Sequence, residues 1–356
     1  VLHWPTVANA ALATMIRMMF PNASAENKGR IDLLERSLPL KLLLFTFKKN
    51  QTGMQINVLG CSGGIDTNTR TTSFLLNNDT LIDAGTGVCD LSLPMQTSIR
   101  QVFITHAHFD HLAGLPFLVE SLSRHCHNCH KENLSPLKVY ALDCVLSDLR
   151  QHIFNNHIWP DFTRLPSPEQ PTIELIPITV GSKVALPNGC TVEAIAAIHN
   201  VPTVGYAVHK SGQTWVFTGD TSPNPLLWQY INQLPSQGQR LRWLVAETTF
   251  SSDKQDLADL TGHYTPRSLR QDMQHLQTGG FDIYLSHLKP CNRTAILQDM
   301  DELQALAYTK NCNLHLLTRG HIFDINQPAT QNADHTHPDN CFNRALAAQS
   351  GADTPF

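Results

Sequence analysis

Four side chains of the kinds that bind metals lie within six residues of each other in this chain. Residues 105–111 read Thr-His-Ala-His-Phe-Asp-His and directly follow an apolar, β-branched segment that predicts a buried strand. Alternation along extended backbone sends His106 and His108 to one side, while Asp110 and His111 turn toward a neighbouring point. Histidine and carboxylate side chains are common ligands of catalytic metals. The spacing therefore predicts a site for two metal ions rather than for one.

One loop cannot complete the coordination of two metals, so further ligands must come from elsewhere in the chain. His199 follows an apolar segment, Asp220 ends the stretch Trp-Val-Phe-Thr-Gly-Asp, and His287 ends Ile-Tyr-Leu-Ser-His. Taken singly, each is more often a core histidine or a capping carboxylate. All three stand at strand ends, in the context that the first loop requires. We therefore expect them to complete the site, with Asp220 able to bridge both ions.

Around these motifs the chain alternates short strands with helices. Two successive sets of strands, each followed by helices, predict two sheets packed face to face with helices outside. The predicted strands are 55–59, 72–76, 80–83, 101–105, 138–142, 172–178, 191–198, 204–209, 214–218, 243–246 and 282–285, and the predicted helices are 116–124, 146–156, 266–276 and 293–309.

Composition limits the class of protein and divides the chain into three parts. The chain has 356 residues, of which 42% are apolar and 16% charged, which excludes a disordered or disulfide-stapled scaffold. Residues 1–53 carry a net charge of +4 and the remainder −8, so no basic footprint for nucleic acid is present. We predict an N-terminal extension over 1–53, either foreign to the natural protein or weakly ordered, a catalytic domain over 54–325 with an insertion near 120–171, and a polar tail over 326–356.

Cysteine usage and hydropathy indicate a cytoplasmic protein, with the periplasm as the alternative. The nine cysteines show no framework spacing, which favours reduced thiols. The compact apolar run at 40–47 is too short to span a bilayer, and no secretory signal is evident, so we expect no membrane association. Cys126 and Cys129 form a Cys-x-x-Cys flanked by histidines. An accessory zinc site is one hypothesis for it, but an exposed loop is favoured because no second pair completes the shell.

With these motifs in view, the chain resembles the metallo-β-lactamase-fold hydrolases. More narrowly it is similar to the class II 3',5'-cyclic-nucleotide phosphodiesterases, with ribonuclease Z as a near relative. The stretches Ile-Phe-Asn, Ile-Trp-Pro-Asp-Phe and Ser-His-Leu-Lys-Pro point to the phosphodiesterases. The resemblance spans residues 54–324, and its matching pieces are 58–64, 81–85, 104–116, 152–155, 158–162, 217–221, 246–250, 262–266 and 286–290.

The resemblance implies an α/β fold, a four-layer αββα sandwich of two mixed β-sheets with outer helices. It also implies two divalent metal ions, zinc first and manganese as the alternative. By position, one metal takes His106, His108, His199 and Asp220, and the other takes Asp110, His111, Asp220 and His287.

The same resemblance implies hydrolysis of cyclic AMP or cyclic GMP to the 5'-monophosphate by a hydroxide that bridges the metals. Asp110 would orient the hydroxide, His263 would donate a proton or clamp the phosphate, and Glu247 would orient a histidine. Trp159 and Phe162 are candidates for stacking on the nucleobase, against an ordinary core role.

Three alternatives for the function stay open from the sequence. They are a ribonuclease Z-like tRNA 3'-processing endonuclease, another esterase, lactonase or sulfatase on the same fold, and a metal-free binding module. The expected partner is a small-molecule cyclic nucleotide without stable nucleic-acid binding, and a homodimer is left open.

Overall fold

The computed structural model describes residues 53–128 and 135–326, without the side chains of 124–128. The chain divides into two units, 1–50 and 51–356, and the first lies wholly outside the described residues. Nearly all of the predicted extension and tail, and the Cys126 and Cys129 side chains, also lie outside them. Within the described ranges, no helix combines the length and hydropathy needed to cross a membrane.

The described residues form sixteen strands, numbered here in chain order. They are β1 (Gln55–Gly60), β2 (Ser73–Leu76), β3 (Thr80–Ile82), β4 (Gln101–Phe103), β5 (Leu137–Leu142), β6 (Pro166–Ser167), β7 (Gln170–Pro171), β8 (Ile173–Ile178), β9 (Lys183–Ala185), β10 (Thr191–Ala196), β11 (Val204–Lys210), β12 (Gln213–Phe217), β13 (Arg240–Glu247), β14 (Asp282–Ser286), β15 (Asn313–Leu316) and β16 (Ile322–Asp324).

Nine α-helices accompany the strands in this part of the chain. They are α1 (Leu93–Gln96), α2 (Phe109–Leu112), α3 (Leu115–Asn128), α4 (Asp143–Asp148), α5 (Pro225–Gln233), α6 (Gln255–Thr261), α7 (Pro266–Asp272), α8 (Arg293–Gln298) and α9 (Asp301–Thr309).

Two seven-stranded mixed sheets share one pairing pattern. The first has the order β16-β1-β2-β3-β4-β5-β8 and the second β15-β14-β13-β12-β11-β10-β9. In the first sheet β16, β1, β2 and β3 pair antiparallel, and β3, β4, β5 and β8 pair parallel. In the second sheet β9 to β12 pair antiparallel, and β12 to β15 pair parallel. The parallel strands bring several carboxyl ends to one edge of each sheet.

The hydrophobic core lies in three layers that define a four-layer sandwich. Side chains of both sheets meet in the middle, where Phe74 packs edge-on against Trp215 and Phe217 at 5.4 and 4.9 Å. The opposite face of each sheet packs against its own helices. Burying each large apolar side chain contributes about 1.5–3 kcal/mol to the stability of the fold. Because the strands carry apolar side chains on both faces, each sheet is covered on both sides, which gives the layered arrangement. The predicted αββα sandwich is confirmed.

The structure corrects several predicted elements. The helix expected over 293–309 is two helices, α8 and α9, because the Asp299 carboxylate leaves the helix to accept a hydrogen bond from the Ser252 amide at 2.8 Å. The helix expected over 146–156 begins earlier, as α4, and continues as a π turn at Leu149–Ile153. Helix α5 was not expected, although the Asn224 cap and Pro225 that begin it are recognisable signals. Strand β5 of the predicted insertion pairs with β4 and β8 within the first sheet.

Candidate metal centre

The predicted ligands lie at one edge of the sandwich, where strands of both sheets end. His106 follows β4, and His199, Asp220 and His287 follow β10, β12 and β14. Because β10 and β12 both pair antiparallel with β11, they run in the same direction, and β14 runs parallel to them. The two sheets are joined at this edge by a hydrogen bond from the Val204 amide to the Thr105 carbonyl, at 3.1 Å.

Two groups of ligand atoms converge there. In each group the atoms lie within 4.8 Å of one another, which is close enough to surround one cation. The first group contains His106, His108, His199 and Asp220, and the second contains Asp110, His111 and His287.

Asp220 belongs to the first group and also lies beside the histidines of the second. Its Oδ2 atom is 3.7 Å from His106 Nε2, and 3.4 Å from both His111 Nε2 and His287 Nε2. The residue is only 1% exposed. A buried carboxylate placed at this distance from the histidines of both groups has the position that a ligand shared by two cations requires.

The centre contains buried polar atoms that the described residues leave unsatisfied. His106 Nε2 and Asp220 Oδ1 have no hydrogen-bond partner there, and His111 Nε2 faces His287 Nε2 at 3.3 Å. An unsatisfied buried polar atom costs about 1–3 kcal/mol, so such atoms are rarely left without a role. A divalent cation would satisfy the whole set. The imidazole and carboxylate donors suit zinc or manganese.

On the first sheet, Asp83 and Thr105 orient the histidines of the loop. Asp83 Oδ2 is 2.7 Å from His111 Nδ1, and Asp83 also accepts hydrogen bonds from the Thr105 amide and hydroxyl. The Thr105 hydroxyl in turn lies 2.9 Å from His106 Nδ1. A hydrogen bond at Nδ1 fixes the orientation of each ring, with Nε2 directed toward the centre for metal binding. Sequence reasoning gave Asp83 no role, although its place at the end of an apolar strand was a usable signal.

On the second sheet, hydrogen bonds to a hydroxyl and a carbonyl orient the separate histidines. The Thr249 hydroxyl is 2.9 Å from His287 Nδ1, and the Gly262 carbonyl is 2.8 Å from His199 Nδ1. A carbonyl can only accept, so His199 carries its proton on Nδ1 and leaves Nε2 free to bind. Thr249 also escaped sequence reasoning, because a threonine carries no metal-ligand signal of its own.

Glu247 and His263 form a buried pair beside the centre. Glu247 Oε1 is 2.8 Å from His263 Nδ1, and the other carboxylate oxygen accepts a hydrogen bond from Thr249 at 2.9 Å. The His263 ring stacks 5.5 Å from that of His287, and its ligand atom groups with Asp220 and His287. The contact matches the orienting role predicted for Glu247, which stays a prediction.

Burial and nearby charges have opposite effects on the pKa values of the histidines in the centre. Burial lowers the pKa values of His106, His108 and His199, which keeps their rings neutral and able to bind a cation. Burial also opposes protonation of His111, but the carboxylates of Asp220 and Asp83 raise its pKa well above the ordinary value. A metal that binds His111 must therefore displace a proton.

The two aromatic residues predicted to contact substrate are not part of either group. Phe162 is 6% exposed and packs in the outer core of the first sheet, 6.5 Å from Phe154. Trp159 is half-buried, with its ring 5.2 Å from that of Phe117. Phe162 thus offers no open face to a nucleobase, and stacking on Trp159 stays a prediction.

Comparison with known proteins gives the family. The model described as the beta-lactamase superfamily domain matches residues 78–284. The chain belongs to this family. Its fold is also that of the metallo-beta-lactamase fold protein YhfI from Bacillus subtilis, with a TM-score of 0.57 and 18% identity over 76% of this chain and 99% of that one. The fold and the family that the sequence resemblance implied are both confirmed.

Two named relatives within this superfamily differ in the substrates that their names give. A 3',5'-cyclic-nucleotide phosphodiesterase from Aliivibrio fischeri is 24% identical over 306 residues, which cover 70% of this chain and 85% of that protein. A ribonuclease Z from Haloarcula marismortui is 22% identical over 291 residues, which cover 66% of this chain and 86% of that protein. The first name gives a cyclic nucleotide as the substrate, and the second describes a ribonuclease.

Proposed function

We propose that this protein is a metal-dependent phosphodiesterase that hydrolyses 3',5'-cyclic nucleotides to 5'-monophosphates at a dinuclear centre. The observation that carries the proposal is the position of Asp220 Oδ2, within 3.4–3.7 Å of histidines from both ligand groups. Zinc is the first choice for both ions, with manganese as the alternative. The phosphodiesterase relative supports the substrate class.

Seven side chains would hold the two ions. When bound, divalent cations lower the pKa of a water molecule toward 7 and offset the charge of phosphoryl oxygens. His106, His108, His199 and Asp220 would hold one ion, and Asp110, His111, His287 and Asp220 the other.

Asp110 differs from Asp220 in its access to solvent, which suits it to contact the attacking water. The Asp110 side chain is 29% exposed, whereas that of Asp220 is 2% exposed. Burial alone would raise the pKa of Asp110, but its hydrogen bond with His287 and the charge of His111 hold it well below its ordinary value. At neutral pH the group is a carboxylate that accepts hydrogen bonds, so it can orient a water molecule for attack on phosphorus.

In this proposal His263 would protonate the departing 3'-oxygen. Burial opposes its charge, but the charge of Glu247, the hydrogen bond with Glu247 and the charge of Asp220 together raise the pKa of His263 above the ordinary value. Because Glu247 holds Nδ1, the opposite nitrogen of the ring is the one that can deliver a proton. A protonated imidazole beside the reacting phosphate can donate to the leaving alkoxide or clamp a phosphoryl oxygen.

A ribonuclease Z activity is the second candidate, because a ribonuclease Z is among the relatives. Charge argues against it. Residues 120–171 carry five lysine or arginine residues and six acidic ones, and the chain after residue 53 carries a net charge of −8. Binding to RNA depends on cationic contacts with many phosphates, which such a surface supplies poorly.

Hydrolysis of cyclic AMP by zinc- or manganese-loaded protein, with the product identified by chromatography, tests the proposal. We expect 5'-AMP, and we expect His263→Gln to lower kcat by about 10²–10⁴-fold without changing the metal content. Absence of turnover, with a generic aryl phosphodiester still cleaved, would discard the cyclic-nucleotide substrate and lead to a tRNA 3'-processing assay. Release of 3'-AMP would contradict the assigned leaving group.

A further inference from the structure

Lys289 lies close in sequence to the proposed metal ligand His287, and its ammonium group has no acidic partner among the described residues. The residue follows His287 by two positions and is half-buried. Its Nζ atom donates a hydrogen bond to the Gly63 carbonyl at 3.2 Å. No carboxylate of residues 53–128 or 135–326 forms an ion pair with it. A lysine ammonium has three donors, so two remain available.

Gly63 contacts both Lys289 and His287. A Cβ atom at position 63 would lie 2.5 Å from the His287 carbonyl oxygen and 3.0 Å from His287 Nδ1. The Gly63 amide also donates to the Leu288 carbonyl at 3.2 Å. The loop that accepts the lysine hydrogen bond therefore lies in contact with a proposed metal ligand.

A second contact places the ammonium close to Phe250, whose ring packs against that of His263. Lys289 Nζ is 5.9 Å from the centre of the Phe250 ring, and the Phe250 ring is 5.7 Å from that of His263. The Phe250 ring thus lies between the ammonium and the stacked rings of His263 and His287.

The carboxylates of the centre have other partners and do not account for this charge, since Asp110 and Asp220 both pair with His111 and His287. Asp83 is held by His111 and Thr105, and Glu247 by His263, Thr249 and the Thr221 amide. A phosphodiester monoanion brings two non-bridging oxygens into the centre. Lysine is a common phosphate ligand that acts as a point charge, so it does not need a fixed bidentate geometry.

We propose that Lys289 is a substrate-binding residue whose ammonium holds a non-bridging oxygen of an anionic phosphodiester. This inference names a residue that would bind the substrate of the proposed function. The choice of a cyclic nucleotide as that substrate rests on the proposed function, whereas the choice of a phosphodiester does not. A neutral ester has no oxygen of comparable charge, so the residue favours phosphodiesters over carboxylic esters or lactones.

The test compares Lys289→Gln, Lys289→Arg and the control Lys310→Gln in metal-loaded protein with cyclic AMP. Lys310 is a matched control because its ammonium also bonds backbone carbonyls, those of Gln274 and Leu276. We expect Lys289→Gln to lower kcat/KM by about 10- to 100-fold, mainly through KM, as for a lost hydrogen bond to a charged group. Lys289→Arg should restore most of the loss. The metal content of all three variants and the kinetics of Lys310→Gln should equal those of the wild-type protein.

Inhibition separates binding of the phosphate from a general loss of structure. Lys289→Gln should weaken competitive inhibition by 5'-AMP and leave inhibition by adenosine unchanged. An unchanged KM for cyclic AMP would overturn the inference, and so would a parallel loss of inhibition by adenosine.

The results differ if the protein lacks the proposed cyclic-nucleotide activity. If wild-type protein does not hydrolyse cyclic AMP but cleaves bis(4-nitrophenyl) phosphate, the same variants are compared on that diester, with the same expected rise in KM. If it cleaves neither, calorimetric binding of inorganic phosphate decides. Weaker binding by Lys289→Gln supports the inference, and equal affinity overturns it.

Discussion

The two sheets supply the metal centre in different ways although their strands pair in the same pattern. The first sheet contributes four side chains from the single segment 106–111 after β4, and the second contributes His199, Asp220 and His287 from the ends of three strands. Each sheet has three antiparallel pairings followed by three parallel ones. Two sheets with the same strand pairing can therefore supply metal ligands either from one short segment or from several strand ends that are distant in sequence.

Replacing one ligand from each sheet gives the largest expected effect. His111→Ala removes a ligand of the contiguous segment, and His199→Ala removes one of the separated ligands. Since loss of a residue that only orients a ligand costs about 10–100-fold, each variant should lose more than about 100-fold in kcat/KM for cyclic AMP. Retention of activity by either variant would show that the two sheets do not contribute to one centre.

The hydrogen bonds behind the ligands should matter on both sheets. Asp83→Asn replaces the charged acceptor at His111 Nδ1 with a neutral one, and Thr249→Val removes the hydroxyl partner of His287 Nδ1. We expect each to weaken zinc affinity by about 10–100-fold, with the larger loss for Asp83, since a carboxylate is the stronger acceptor. Competition with a chromophoric chelator measures this. Unchanged affinity in Asp83→Asn would contradict the orienting role.

The backbone before Asp220 provides a test confined to the second sheet. Gly219 has φ +64°, and a Cβ atom there would lie 2.7 Å from the Val204 carbonyl oxygen. Gly219→Ala should cost about 1 kcal/mol for the left-handed backbone, and more for the clash. Gly238 is a matched control, because it has φ +71° and open space around its Cβ position. Thermal unfolding should show a larger loss for Gly219→Ala, and equal losses would exclude the clash.

A polar cluster of the second sheet outside the centre should affect stability and not activity. Burial raises the pKa of Glu193, but hydrogen bonds with His209 at 3.0 Å and Tyr230 at 2.9 Å bring it below its ordinary value. A carboxyl with a lowered pKa stabilises the fold above its unfolded pKa, and this contribution is lost as pH falls through the folded value.

Glu193→Gln should therefore lower the free energy of unfolding by about 1 kcal/mol at pH 7 and reduce its fall in acid. Urea denaturation at several pH values measures both effects. Cyclic AMP hydrolysis should be unchanged, and an unaltered pH dependence of stability would contradict the assignment.

What the sequence could predict depended on how local each signal was. The segment 106–111 carries its four ligands within six residues, so their spacing alone predicted them. His199, Asp220 and His287 needed the added expectation that strand ends meet at one edge. Asp83 and Thr249 act only through contacts with residues 28 and 38 positions away, which no local pattern contains.

The strands and helices follow the same rule. Apolar strands such as β12 and β13 were predicted from their own residues. The break between α8 and α9 was not, because it coincides with a hydrogen bond that Asp299 accepts from the Ser252 amide, 47 residues away. The predicted substrate contact of Phe162 likewise overlooked tertiary packing, which places that ring in the core.

Metal content measured by native mass spectrometry tests most directly whether the two sheets form one dinuclear centre. The wild-type protein loaded with zinc should carry two ions per chain, and Asp220→Ala should carry at most one, because Asp220 lies between both ligand groups. A wild-type protein that saturates at one ion, or an Asp220→Ala variant that still binds two, would contradict the account.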